Sequence, residues 1–223
     1  MSEVFMDISI ERNILEANDC IAGELREIFA KNKVLVLNLI SSPGSGKTSL
    51  LEKTLSDLRN EFKMGVIEGD CQTDNDAKRV AATGAKAVQI NTDGGCHLDS
   101  KMIKNVISAF DLSELDILFI ENVGNLVCPV EFDCGEDAKI ALLSAAEGDD
   151  KPEKYPRLFQ LARAMVINKV DLLDYVDFDV AKASKFGKAL NGDIEIFEVS
   201  CRTCQGLQNW YAWLRKQVAC KQR

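Results

Sequence analysis

The chain has 223 residues, a formal net charge of −8, 46% hydrophobic residues and 28% charged ones. That length suffices for a substantial core in one domain. The acidic balance argues against a nucleic-acid partner, whose phosphates are bound through Lys and Arg by counterion release. No apolar run approaches the roughly 18–20 residues of a membrane span and no signal-peptide pattern opens the chain, so a cytoplasmic protein without membrane contact is expected.

From the N-terminus, Ile8 to Lys31 reads as an amphipathic helix with Ile10, Ile14, Ile21, Leu25 and Ile28 near one side, suited to packing on the core or docking a second subunit. Strand candidates follow at Val34 to Ile40, Met64 to Glu68, Ala87 to Asn91, Ile117 to Glu121, Ile140 to Ser144, Ala164 to Asn168 and Ile194 to Val199, separated by helix-like segments. Such alternation predicts an α/β fold, a mostly parallel sheet of about seven strands with helices on both faces. The most polar interruption, Gly148 to Pro156, is too short to separate domains, so residues 1–223 are read as one unit with the first 32 packed on it.

Between the first strand and an amphipathic helix carrying Leu50, Leu51, Leu55 and Leu58 lies Ser41 to Ser49, S-S-P-G-S-G-K-T-S. Backbone N–H groups at a helix start have no intrahelical partner, and the helix dipole favours negative charge there. Gly44, Ser45 and Gly46 can therefore wrap an oligophosphate, with Lys47 neutralising the outer phosphates, the Thr48 hydroxyl on Mg²⁺, and Ser49 closing the motif. Ser41 stands where this motif ordinarily begins with Gly. The context predicts a single P-loop NTPase domain.

The base is read further on, at Asn168-Lys169-Val170-Asp171. A carboxylate at a strand end accepts both the ring N–H and the exocyclic amine of guanine, whereas adenine offers an amine beside an acceptor. Asp171 thus points to GTP and GDP, and Ser200-Cys201 after the last strand supplies a backbone N–H for the base oxygen. Asp70 and Glu121 follow or end apolar strands and should emerge beside the phosphate loop, where Mg²⁺ takes oxygen ligands and a carboxylate can orient water. Asp74 and Asp76 are further acidic candidates or simple helix caps, and Gly124 lies where a backbone N–H could sense the terminal phosphate.

Eight cysteines accompany a single histidine. In a cytoplasmic protein these are expected as thiols rather than disulfides. Cys96 and His97 are adjacent in G-G-C-H-L-D, and Cys128 follows the Ile117 to Glu121 strand by a short loop. Neighbouring parallel strands would deliver both loops to one sheet edge, where thiolate and imidazole donors suit Ni²⁺ or Zn²⁺. The plainer reading is two packed thiols and a capping histidine. Cys134 is a reserve ligand, Cys201-x-x-Cys204 overlaps the base loop, and Cys20, Cys71 and Cys220 read as packing or surface thiols.

Together S-S-P-G-S-G-K-T, E-G-D-C-Q-T-D-N-D-A, G-G-C-H-L-D, E-N-V-G-N-L-V-C-P, E-G-D-D-K-P and N-K-V-D-L-L span most of the chain. This ordered set resembles the hydrogenase maturation GTPases of the HypB type, within the SIMIBI class of P-loop GTPases. The resemblance implies a GTP-hydrolysing nickel metallochaperone, a homodimer tightened by GTP, and a metal site at the subunit interface from Cys96, His97 and Cys128. It also implies a nickel-delivery accessory protein as partner, the hydrogenase large-subunit precursor as indirect client, and Lys151 reaching nucleotide across the dimer. Some members carry a histidine-rich stretch or an N-terminal cysteine motif; neither is present here, which argues against nickel storage. Cys204 replaces a glycine of the family's T-G-x-G loop. The alternatives are a urease accessory GTPase, whose metal motif normally has a residue between Cys and His, and a P-loop kinase with structural cysteines.

Overall fold

The computed structural model describes residues 3–70 and 75–223, with side chains from residue 13 onward except at 75 and 77. Cys71 and Asp74 lie outside the described residues. The elements run α1 (Glu3–Lys31), β1 (Leu35–Ser41), α2 (Lys47–Leu58), β2 (Met64–Asp70), α3 (Asn75–Ala81), β3 (Lys86–Asn91), α4 (Ser100–Val106), β4 (Ile117–Glu121) and α5 (Cys128–Glu131). They continue with β5 (Ala138–Ser144), α6 (Lys151–Lys154), α7 (Pro156–Leu161), β6 (Ala162–Asn168), α8 (Val180–Leu190), β7 (Glu195–Glu198) and α9 (Leu207–Lys221). The polar interruption from Gly148 to Pro156 holds α6 and the start of α7, each with Pro in its first turn, where the missing N–H costs nothing.

All seven strands are parallel, in the order β3-β2-β4-β1-β5-β6-β7. β1 is buried along its whole length, as a strand covered on both faces requires. Leu35, Leu37 and Leu39 point to the face that holds Leu51 and Leu55 of α2 and Trp210 and Leu214 of α9. Val34 and Val36 point the other way, toward Leu25 and Phe29 of α1 and Ile103 of α4. Both tryptophans sit on α9, their rings 5.2 Å apart, and Trp210 Nε1 donates to Thr54 Oγ1 of α2 at 3.0 Å.

The inner face of α1 differs from the isoleucine stripe expected. Asn18, Ala22, Leu25 and Phe29 are buried, whereas Ile14 is 53% and Ile28 38% exposed; Ile21 packs at the margin, and the Ile10 side chain is outside the described residues. The reason is polar. Asn18 accepts from Ser100 N at 2.9 Å and donates to the Asp133 carbonyl at 2.9 Å, so an amide inside the stripe fixes the rotation of the helix.

Candidate nucleotide cleft and metal centre

At the carboxyl edge of the sheet, β1 delivers the loop from Ser42 to Gly46 into α2. Gly44 and Gly46 have φ of 77° and 99°, which side chains with a Cβ rarely adopt. A Cβ on Gly46 would also lie 2.4 Å from Asn168 Nδ2, the group that donates to the Ser45 carbonyl at 3.0 Å. Lys169, itself at φ 63°, donates to the Gly44 carbonyl at 2.7 Å. The N-K-V-D segment after β6 therefore braces the phosphate loop from behind.

A cleft of about 500 Å³ opens over the loop, lined among others by Lys47, Thr48, Glu68, Asp70, Glu121 and Gly124. Lys47 is buried against the Ser41 hydroxyl at 3.0 Å, and desolvation lowers its pKa. Thr48 Oγ1 donates to Glu121 Oε1 at 2.8 Å. Glu68 and Glu121 stand opposite each other in the β2–β4 register, and both are buried. Burial pushes the Glu68 carboxyl up to about 8 and Glu121 up to about 7, the neighbouring carboxylates adding to the effect on Glu68. Glu68 Oε2 and Glu121 Oε2 have no hydrogen-bond partner. Two such oxygens beside the Thr48 hydroxyl form a hard donor set suited to Mg²⁺.

Glu68, one member of this pair, carries in the sequence only the mark of a strand end. Its signal was the acidic residue following Met64 to Ile67 inside a buried strand. Arg79 was also missed: it lines the cleft and forks onto Glu52 at 2.6 and 3.0 Å while bonding Asp76 at 3.0 Å. Gly124 packs against the phosphate loop so closely that a Cβ would sit 3.0 Å from Pro43 Cα.

A smaller adjoining pocket of about 210 Å³ is lined by Ser49, Asn168, Lys169, Asp171, Cys201 and Arg202, among others. Asn168 Oδ1 accepts from Cys201 N at 3.3 Å, and Ser200 Oγ donates to Asp171 Oδ1 at 2.6 Å. The N-K-V-D and Ser200-Cys201 segments, 29 positions apart between Asp171 and Ser200, thus close into one pocket. Cys204 has φ 65°, the left-handed conformation that a glycine would adopt without strain.

The loops after β3 and β4 meet, although β2 lies between those strands, so they are not the sheet neighbours that the sequence suggests. Ligand atoms of Cys96, His97 and Cys128 lie within 4.8 Å of one another, with Cys96 Sγ 3.6 Å from His97 Nδ1. Among the described residues this is the group of His, Cys, Asp or Glu side chains assembled at metal-binding distances. The His97 ring stacks on Phe132 at 3.8 Å, and Asp99 caps α4 by accepting from Met102 N at 2.7 Å, which fixes the loop just beyond the histidine. Soft sulfur and imidazole donors in this set fit Ni²⁺ or Zn²⁺. Cys134 stays apart; fully buried, it donates its thiol to the Leu98 carbonyl at 3.4 Å.

Residues 35–198 match the protein family described as CobW/HypB/UreG, nucleotide-binding domain. The hydrogenase maturation factor HypB of Azotobacter vinelandii is 51% identical over 210 residues, 94% of this chain and 69% of that protein. The chain belongs to the HypB family. Two solved HypB structures share its fold at a TM-score of 0.85. The one from Archaeoglobus fulgidus is 39% identical and covers 91% of this chain and 99% of its own. The other, HypB from Helicobacter pylori in complex with nickel, is 40% identical over 91% of this chain and 95% of its own. A HypB nucleotide-binding domain accounts for the cleft, and no helix among the described residues is long and apolar enough to cross a membrane.

Proposed function

We propose that this chain is a GTP-hydrolysing nickel carrier in [NiFe] hydrogenase maturation, with its metal site linked to the nucleotide. The observation that carries the reading is the Cys96, His97, Cys128 cluster on loops that spring from the same sheet edge as the phosphate cleft. The nickel-complexed relative supports the choice of cargo.

In this reading the amides of Gly44, Ser45 and Gly46 wrap the phosphates, and Ser49 lies at the base end of the loop. Lys47 neutralises charge that develops on the phosphoryl oxygens during transfer; an ammonium buried in this way acts in a low-dielectric site, where it is worth more than in water. Thr48, Glu121, Glu68 and Asp70 would hold Mg²⁺, which supplies charge neutralisation between phosphates. Asp70 or Glu121 orients the attacking water. Asp171 selects guanine, with Asn168 and Lys169 holding the pocket and Ser200 and Cys201 meeting the far side of the base.

Ni²⁺, or Zn²⁺ in its place, is cargo on Cys96, His97 and Cys128. Cys96 is exposed and Val127, beside Cys128, is 57% exposed, which supports seating a second copy of the chain on this loop. GTP would promote that dimer, with Lys151 reaching across it. The partners are a nickel-delivery accessory protein and, through it, the hydrogenase large-subunit precursor; the setting is the cytoplasm.

The test is a titration of Ni²⁺ and Zn²⁺ into the wild type and a Cys96→Ala/His97→Ala/Cys128→Ala variant, with GDP or a non-hydrolysable GTP analogue, following dimerisation by light scattering. Metal binding that vanishes in the variant and shifts with nucleotide in the wild type is expected. Undiminished binding in the variant would remove the site.

A further inference from the structure

Asn38 lies in the middle of β1 on the face packed by α1 and α4, with its side chain fully buried among apolar neighbours. A buried amide in such surroundings has to be satisfied by protein groups. Asn38 Oδ1 accepts from Asn122 Nδ2 at 3.2 Å, and its own Nδ2 donates to Glu136 Oε1 at 3.4 Å. Asn122 Oδ1 accepts from two backbone donors, Leu98 N and Val123 N, each at 3.0 Å. Those two donors fix which way the Asn122 amide faces, and that in turn fixes Asn38.

The chain of bonds closes on itself. Glu136 Oε2 accepts from Cys134 N at 2.7 Å, and the Cys134 thiol donates to the Leu98 carbonyl. Leu98, the residue after His97, is thus held by its N–H through Asn122 and by its carbonyl through Cys134. Its side chain is held too: a Cβ on Gly69, between Glu68 and Asp70, would lie 2.7 Å from Leu98 Cγ.

Asn122 occupies the junction between the two sites. The residue before it is Glu121, bonded to Thr48; two residues after it, Gly124 abuts Pro43 of the phosphate loop. We propose that Asn122 is a positioning residue that ties the Cys96-His97 loop to the phosphate cleft. A rearrangement of Glu121 or Gly124 around a terminal phosphate then moves the Leu98 peptide, and with it His97. The buried ring gives this connection a discrete geometry, because its amides cannot shift singly without leaving a buried polar group unpaired. The inference rests on the proposed linkage of nickel to nucleotide and names the residues that transmit it.

The test measures the Ni²⁺ dissociation constant by competition with a chelating dye in GDP and in a non-hydrolysable GTP analogue, for the full wild-type chain and for Asn122→Ala and Cys134→Ala. Nucleotide affinity without metal and the sulfur-to-nickel absorption bands are recorded alongside. Couplings of this kind typically span about 5- to 150-fold between states. In both variants the ratio of Ni²⁺ affinities should fall to within about twofold of one, with one metal and one nucleotide still bound. Cys134→Ala decides the matter if Asn122→Ala is unfolded by circular dichroism, since it loosens Leu98 without touching the cleft. A wild-type ratio retained in a folded variant overturns the role of the ring. A wild-type ratio of one overturns the linkage itself.

Discussion

Replacing Glu68 with Gln should stabilise the nucleotide-free protein, and by an amount that depends on pH. Native Glu68 titrates near 8, against 4.5 for an unperturbed glutamate, because it is buried opposite Glu121. At pH 7 the folded side chain is protonated while the unfolded one is ionised, so folding takes up a proton. At about 1.36 kcal/mol per pH unit above 4.5, that uptake costs about 3 kcal/mol at pH 7. The burden is nearly absent at pH 4.5, grows as pH rises, and levels off above the folded value of about 8. The Gln amide still leaves a buried polar group short of a partner, which costs about 1 kcal/mol and leaves a net gain of about 2 kcal/mol at pH 7. Urea denaturation at pH 4.5, 6, 7 and 8 measures this as a rising midpoint difference at constant slope. Added Mg²⁺ with GTP analogue should reverse the order, since the wild type then gains a cation ligand that the variant lacks. A midpoint difference independent of pH, or a less stable variant at pH 8, would refute the reasoning.

Asp171→Asn removes a charged acceptor facing two guanine donors; at about 1.5–3 kcal/mol for each charge-assisted bond, GTP affinity should fall at least 100-fold. Xanthosine nucleotides, whose oxygen replaces the guanine amine, should bind the variant better than GTP, and fluorescent-nucleotide titration reads both. Cys204→Gly relieves a residue held at φ 65° and should stabilise the chain by about 0.5–1 kcal/mol, the relief of about 1–2 kcal/mol being partly offset by unfolded-state entropy. Thermal denaturation of the reduced protein would show a raised midpoint; a lowered one means the Cys204 side chain contributes packing that outweighs the strain.

The strand ladder was legible in the sequence because strands buried on both faces carry little but apolar residues. Val34 to Ile40, Ile117 to Glu121 and Ala164 to Asn168 needed no tertiary knowledge, and the parallel order follows from the helices between them. The metal triad was legible for a related reason, since loops after parallel strands of one sheet arrive at one edge, although β3 and β4 are not neighbours but flank β2. Buried polar residues were harder to read. Asn18 looked like an interruption in an isoleucine stripe, yet its bonds to Ser100 and Asp133 decide which side of α1 faces inward. Glu68 resembled a strand terminus, because the pairing that makes it consequential, with Glu121 across β2 and β4, exists only in the register of the sheet. Asn122 and Asn38 carry no sequence signal beyond polarity in an apolar context. The importance of Asn38 depends on partners 84 and 98 positions away, Asn122 and Glu136.

The two tryptophans on α9 make the intrinsic fluorescence of this chain a one-sided reporter. Trp210 is anchored to Thr54 of the helix that follows the phosphate loop, and Trp213 Nε1 donates to Glu195 of β7 at 2.8 Å. Both indoles therefore watch the side of the sheet on which α2 lies, while Leu98 and Cys134 pack against the opposite face. Emission should respond when nucleotide shifts α2 and stay quiet when metal reorganises the Cys96 loop alone. Any metal-induced change in emission would then be a direct optical sign that the disturbance had crossed the sheet.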